Sequence, residues 1–149
     1  MIMIYFCFMN EIILSGFQED WGDETGFQES LAKTRMHLSL SQVVNFVFCD
    51  DAFLLEVNQK YLNHDYYTDI ITFDYAEDGL HEADLFISHD RIRENACNYG
   101  VSFLAELFRV CSHGMLHLSG QKDKTDEERE NMRAKETELI GLFHVEQKK

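Results

Sequence analysis

His113 and His117 stand four residues apart in a stretch that is otherwise almost wholly apolar. On a helix, side chains at this spacing stack on one face and can converge on a single ion. Gly114 lies between them, where a glycine costs up to about 1 kcal/mol relative to alanine in a helix interior, so something is expected to approach the backbone there. Gly120 lets the chain turn back, which brings Asp123 within reach as a third ligand in a His-x3-His-x5-Asp pattern. Three protein ligands leave a position for water, as in catalytic rather than closed structural sites. Glu106 lies seven residues before His113 on the same helical face, where it is expected to hydrogen-bond a ligand histidine from outside. The competing readings are a core histidine satisfied by a backbone carbonyl, and an Asp123 that is a solvated loop acid or a turn residue capped by its own side chain.

The elements that must position these residues are legible from periodicity and caps. Phe103 to Leu118 is apolar on most sides, with Ser102 as N-cap and Gly120 to end it, and reads as a helix buried in the core. Thr125-Asp126-Glu127-Glu128 matches a capping box, opening a helix to about Gly141. Upstream, Met3 to Phe8 reads as a strand, and Thr25 to Leu38 as an amphipathic helix with Phe27, Leu31 and Met36 on its apolar side. Val43 to Cys49 is a β-branched and aromatic strand. Asp50 or Asp51 caps a helix to about Leu62, with Leu54, Leu55, Val57, Tyr61 and Leu62 at helical spacing. Asp69 to Tyr75 and Ala83 to Ser88 read as strands and candidate sheet neighbours, and Ser88 precedes a short helix ending before Gly100. The acidic run around Glu19 to Thr25 is the one linker-like piece. The sum is an α+β domain, a single unit over residues 1–149, with about four strands in a small mixed sheet and the site on a central buried helix.

Composition bounds the function. With 45% hydrophobic and 27% charged residues the chain has the make-up of an ordinary soluble protein. The first apolar stretch is too short to span a bilayer and has no basic flank, so neither a targeting segment nor a membrane partner is expected. Four scattered cysteines without a C-x-x-C pair read as reduced core thiols of a cytoplasmic protein. The net charge of −14 disfavours sequence-blind binding to nucleic acid, which draws on lysine and arginine. Arg91, Arg93, Lys122 and Lys124 lie near the histidine motif in sequence and are the candidates for a local basic face; scattered solvated charges are the alternative.

The segment His113-Gly-Met-Leu-His-Leu-Ser-Gly120 resembles the signature of the YbeY family, whose members carry a third metal-binding histidine where Asp123 stands here. Tyr67-Thr68-Asp69-Ile70-Ile71-Thr72-Phe73 is similar to the family's Pro-Thr-Asp/Asn-Val-Leu-Ser-Phe strand, Asn58-x-x-Tyr61 to its Leu-Asn-x-x-Tyr helix, and Ala83-Asp84-Leu85 to its Gly-Asp-Ile/Leu strand. The match runs in order from about Val43 to Ile140. The resemblance implies a bound zinc, one divalent ion per chain, and hydrolysis of single-stranded RNA in ribosomal RNA maturation and ribosome quality control, with the ribosome or its proteins as partners. The family's arginine after the helix tyrosine falls on Leu62, so Lys60 or His64 would have to substitute. An aspartate at the third ligand position adds negative charge beside the ion, which raises the pKa of its water and favours harder ions.

As an endoribonuclease, the chain would act through His113 and His117, whose ion polarises a phosphodiester oxygen and lowers the pKa of water from about 15.7 toward roughly 7. A metallopeptidase is the weaker enzyme reading, because Gly114 occupies the place of the general-base glutamate in H-E-x-x-H. The non-enzymatic alternative is a ribosome-assembly factor whose ion only staples the helix to the following loop. A solvent-filled cleft beside an open site would favour the enzyme. Sequence alone leaves the oligomeric state open.

Overall fold

The computed structural model describes residues 11–144. The expected strand at residues 3–8, and Cys7 within it, lie outside them. The elements run β1 (Ile12–Ser15), a 3-10 turn (Glu19–Trp21), α1 (Glu24–His37), β2 (Val43–Cys49), α2 (Asp51–Leu62), β3 (Ile70–Asp74), a second 3-10 turn (Ala76–Asp78), β4 (Glu82–Ser88), α3 (His89–Tyr99), α4 (Phe103–Leu118) and α5 (Asp126–Phe143). The sheet is ordered β1-β2-β4-β3. β2 pairs in parallel with both β1 and β4, whereas β3 runs antiparallel along β4 with Ile71 opposite Phe86. The α+β class and the mixed four-stranded sheet are therefore as the sequence implied.

Period-two alternation sorts the sheet into two faces. Val44, Phe46 and Phe48 of β2 and Ala83, Leu85 and Ile87 of β4 enter the main core, with α1, α4 and α5 packed above it. Ile71, with Phe73, Phe86 and Cys49 around it, turns to the opposite face and meets Leu54 and Val57 of α2. Helix α4 lies in the middle of the larger layer, with Leu107, Phe108, Cys111 and Met115 fully buried. This explains its apolarity on most sides.

Caps fall where the side chains predicted them. The Asp50 carboxylate, the Ser88, Ser102 and Thr125 hydroxyls each accept a backbone N–H from the first turn of α2, α3, α4 and α5. Three expectations are corrected. The acidic run is no linker: Trp21 within it is buried, packing edge-on against Phe17 and Phe48 and tilted against Phe103, so the segment is pinned to the core. Met36 is exposed, because the buried stripe of α1 passes through Phe27, Leu31, Thr34 and Arg35, whose guanidinium bonds the Gln42 carbonyl and pairs with Glu11. Tyr61 and Leu62 at the end of α2 are also exposed, although the Tyr61 ring still meets Phe73 of β3 edge-on.

Candidate metal centre

Helix α4 ends in a Schellman motif. The Gln121 N–H donates to the Leu116 carbonyl at 2.9 Å and the Gly120 N–H to the His117 carbonyl at 3.0 Å, with Gly120 at φ +100°. The turn has two consequences. It aims the Gln121 carbonyl at the His117 ring, 2.9 Å from Nδ1, and it folds Asp123 back over the helix end. His117 Nε2 lies 3.0 Å from His113 Nε2 and 3.1 Å from Asp123 Oδ2, which is 3.4 Å from His113 Nε2.

The outer ring nitrogens fix the tautomers. His113 Nδ1 is 2.7 Å from Glu136 Oε2 and His117 Nδ1 faces a carbonyl. Both neighbours are acceptors, so each neutral ring carries its proton on Nδ1 and turns the lone pair of Nε2 inward. Two lone pairs and a carboxylate oxygen then converge, an arrangement that repels itself unless a cation is shared among them. Ligand atoms about 2.0–2.2 Å from a tetrahedral ion stand about 3.3–3.6 Å apart. The separations here are close to that, and the three side chains form a group able to hold a metal ion.

Behind His113 runs a chain of ion pairs. Glu136 on α5 also accepts from Arg109 Nη1 at 2.8 Å, and Arg109 is held on its other side by the Glu106 carboxylate through Nε at 2.7 Å and Nη2 at 2.6 Å. Both carboxylates are buried, Glu106 at 1% and Glu136 at 4% exposure. Burial works against the charged form of His113, but the hydrogen bond and charge of Glu136, with Asp123 and Asp69 behind it, outweigh that and hold the imidazole above its ordinary 6.5. Burial likewise acts to raise Glu136, yet His113 and Arg109 together keep it below 4.5. Glu106 thus touches neither histidine: it grips Arg109, and Glu136 makes the contact expected of it. Glu136 was not singled out in the sequence, although a carboxylate between Met132 and Leu139 on the buried stripe of α5 signals a partnered charge.

Gly114 fits its expectation. A methyl there would overlap Leu85 Cδ2 and come within 2.9 Å of Ile70 Cδ1, so its absence lets the histidine turn of α4 press onto β3 and β4. The three converging groups open into a cleft of about 440 Å³ between the α4 terminus, β3 and the loop after α2, with Asp69, Leu62, His64 and Tyr66 on its walls. Burial holds Asp69 above its usual range despite Arg109 and His113.

The four basic candidates divide. Arg91 pairs with Asp51 and Glu94 and lies over the Tyr67 ring, and Arg93 lies over Phe103 beside Trp21 in a separate cleft; neither lines the histidine cleft. Lys122 and Lys124 are exposed on either side of Asp123.

A sequence model of the family "Endoribonuclease YbeY" matches residues 20–144. The chain belongs to the YbeY family. It is similar to the "Endoribonuclease YbeY" of Flavobacterium johnsoniae, 51% identical over 104 residues that cover 70% of this chain and 75% of that one. The protein of the same name from Bacteroides thetaiotaomicron is 50% identical over 99 residues, 66% of this chain and 72% of that one. In fold it is similar to the solution structure of TM1509 from Thermotoga maritima, with a TM-score of 0.58 at 25% identity over 88% of this chain and 90% of that one. Among the described residues no helix is long and apolar enough to cross a membrane.

Proposed function

We propose that this chain is a metal-dependent endoribonuclease that cleaves single-stranded RNA, with one divalent ion, zinc, held by His113, His117 and Asp123. The observation that carries this reading is the convergence of His113 Nε2, His117 Nε2 and the Asp123 carboxylate at the floor of an open cleft. A closed fourth protein ligand would have favoured a purely structural role; among the described residues the group has three members. The YbeY relatives, all named as endoribonucleases, support the same reading.

Bound there, a divalent ion supplies Lewis-acid polarisation of a phosphodiester oxygen and an acidified water near neutral pH. The chain's own residues do the rest. His113 and His117 present neutral nitrogens whose orientation is fixed by Glu136 and the Gln121 carbonyl, so little reorganisation accompanies binding. Glu106 and Arg109 hold Glu136 in place. Lys122 and Lys124, beside Asp123, are assigned to phosphate contacts, whereas Arg91 and Arg93 are withdrawn from that role because they serve Asp51, Glu94 and a different cleft. We assign the whole chain to a single metallo-hydrolase domain acting in the cytoplasm on ribosomal RNA and in contact with the ribosome. Elemental analysis with an RNA cleavage assay tests the biochemical core: the protein carries about one zinc per chain and cuts single-stranded but not duplex RNA, while His117→Ala loses both ion and activity.

A further inference from the structure

An acidic chain that binds RNA needs a source of affinity other than phosphate neutralisation. Among the described residues lining the histidine cleft there is no lysine or arginine, and Leu62 stands at its edge. What the cleft wall offers instead is aromatic. Tyr66 is 56% exposed and His64 is exposed, and the two rings stack at 5.1 Å between centroids with 22° between planes. The Tyr66 hydroxyl and His64 Nδ1 are 3.0 Å apart, which locks the pair together.

The pair is preorganised by a buried residue. Asn58, 2% exposed, accepts the His64 N–H on its backbone carbonyl at 3.1 Å and donates its side-chain amide to the Tyr66 carbonyl at 2.9 Å. Asn63 turns the chain with φ +54° between helix and loop, and the Gln59 amide ties down Asp65. The backbone part of this bracing closes the C-terminus of α2, and the Asn58 amide adds a second tie that reaches the Tyr66 backbone. A solvent-facing stacked pair fixed at the rim of a hydrolytic cleft has the attributes of a base-stacking platform, in which ordering is done before the ligand arrives.

Resting on the endoribonuclease reading, we propose that His64 and Tyr66 form a stacking platform for an unpaired RNA base next to the scissile phosphate. This gives the site its preference for single strands: a base in a duplex is already stacked on its neighbours and cannot reach the rings, whereas an unpaired base can be splayed onto them. Stacking is indifferent to base identity and nearly independent of salt, so it suits a chain of net charge −14.

Binding of a labelled single-stranded oligoribonucleotide, measured by fluorescence anisotropy with the ion chelated, is compared with its cleavage when the ion is restored. Tyr66→Ala and His64→Ala should each weaken binding roughly 5-fold or more. Tyr66→Phe, which keeps the ring but loses the hydroxyl bond to His64, should fall between the wild type and Tyr66→Ala. The loss for Tyr66→Ala should be equal at low and high salt, and should vanish on an abasic oligonucleotide of the same length, which has phosphates and no bases. Metal content and thermal midpoint report that these exposed substitutions leave the site and fold intact. Equal weakening on the abasic strand, or no weakening on the normal one, overturns the platform even if RNA is cut. A wild type that binds through these rings without cleaving refutes the endoribonuclease reading and leaves the platform standing.

Discussion

Glu136→Gln removes one charge at the centre of the structure and leaves its volume almost unchanged. In the wild type Glu136 accepts from His113 at 2.7 Å and from Arg109 at 2.8 Å while 4% exposed. Glutamine has a single acceptor oxygen for two donors. If that oxygen stays with Arg109, the amide N–H₂ faces His113 and forces Nδ1 to become the acceptor, moving the ring proton to Nε2 and removing the lone pair turned to the ion. If it stays with His113, Arg109 loses a partner. Exchanging charge-assisted hydrogen bonds of about 1.5–3 kcal/mol for neutral ones of about 0.5–1.5 kcal/mol at two contacts gives a loss of about 2–3 kcal/mol in the ion-free protein. Metal affinity should fall roughly 10- to 100-fold. Urea unfolding of the apoprotein and competition with a chromogenic chelator read these separately. The pH dependence has a definite sign. Glu136, held below 4.5 in the fold, contributes stability above that value that is lost as pH falls through its lowered pKa. His113, held above 6.5, contributes stability below that value that is lost as pH rises through its raised pKa. Both limbs should flatten in Glu136→Gln. A variant that binds metal within twofold of wild type and unfolds at the same urea concentration would refute the claim that this carboxylate orients His113.

Asp123→Ala should weaken metal binding at least tenfold with little change in the fold, since it deletes one of the three proposed ligands from a half-exposed turn, and Asp123→His should restore it, as chelator competition will show. Gly114→Ala should cost a net of up to about 2 kcal/mol, because about 1–3 kcal/mol of overpacking against the Leu85 and Ile70 side chains is offset by about 1 kcal/mol of regained helix propensity, and calorimetry should show a lowered thermal midpoint. Iodoacetamide followed by peptide mass mapping should label exposed Cys97 and spare Cys111, whose thiol burial pushes far up, and Cys49, which burial first and then Asp50, Asp51 and Asp90 push up to about 12.

The parts of the molecule that were legible in the sequence are those where one local cause dominates. Ser102 and Gly120 bound α4, and the spacing of His113, His117 and Asp123 survived folding because a helix and a Schellman turn connect them with no long-range freedom. β1 was not read, because Ile12 to Ser15 is only four residues long and becomes a strand by pairing in parallel with β2, a contact no local pattern encodes. The histidine partner was misplaced for a related reason. Glu106 is correctly spaced along α4, but Arg109 lies three residues on and captures it, and the carboxylate that reaches His113 comes from α5 across the core. Arg91 and Arg93 were near the motif in sequence but face Asp51 and Trp21 once α3 turns away. The aromatic wall of the cleft depends on the Asn58 side chain reaching the Tyr66 carbonyl, eight positions on along the chain, which sequence order does not reveal.

The central claim is that the ion held by His113, His117 and Asp123 performs the cleavage of RNA. It is tested most directly by titrating zinc into chelator-stripped wild-type protein while following cleavage of a single-stranded oligoribonucleotide, with His117→Ala in parallel. The account predicts that activity rises with occupancy, saturates near one ion per chain, and stays absent in His117→Ala at every zinc concentration. Cleavage by the stripped protein that zinc does not increase, or a fully occupied wild type that leaves the RNA intact, would contradict it.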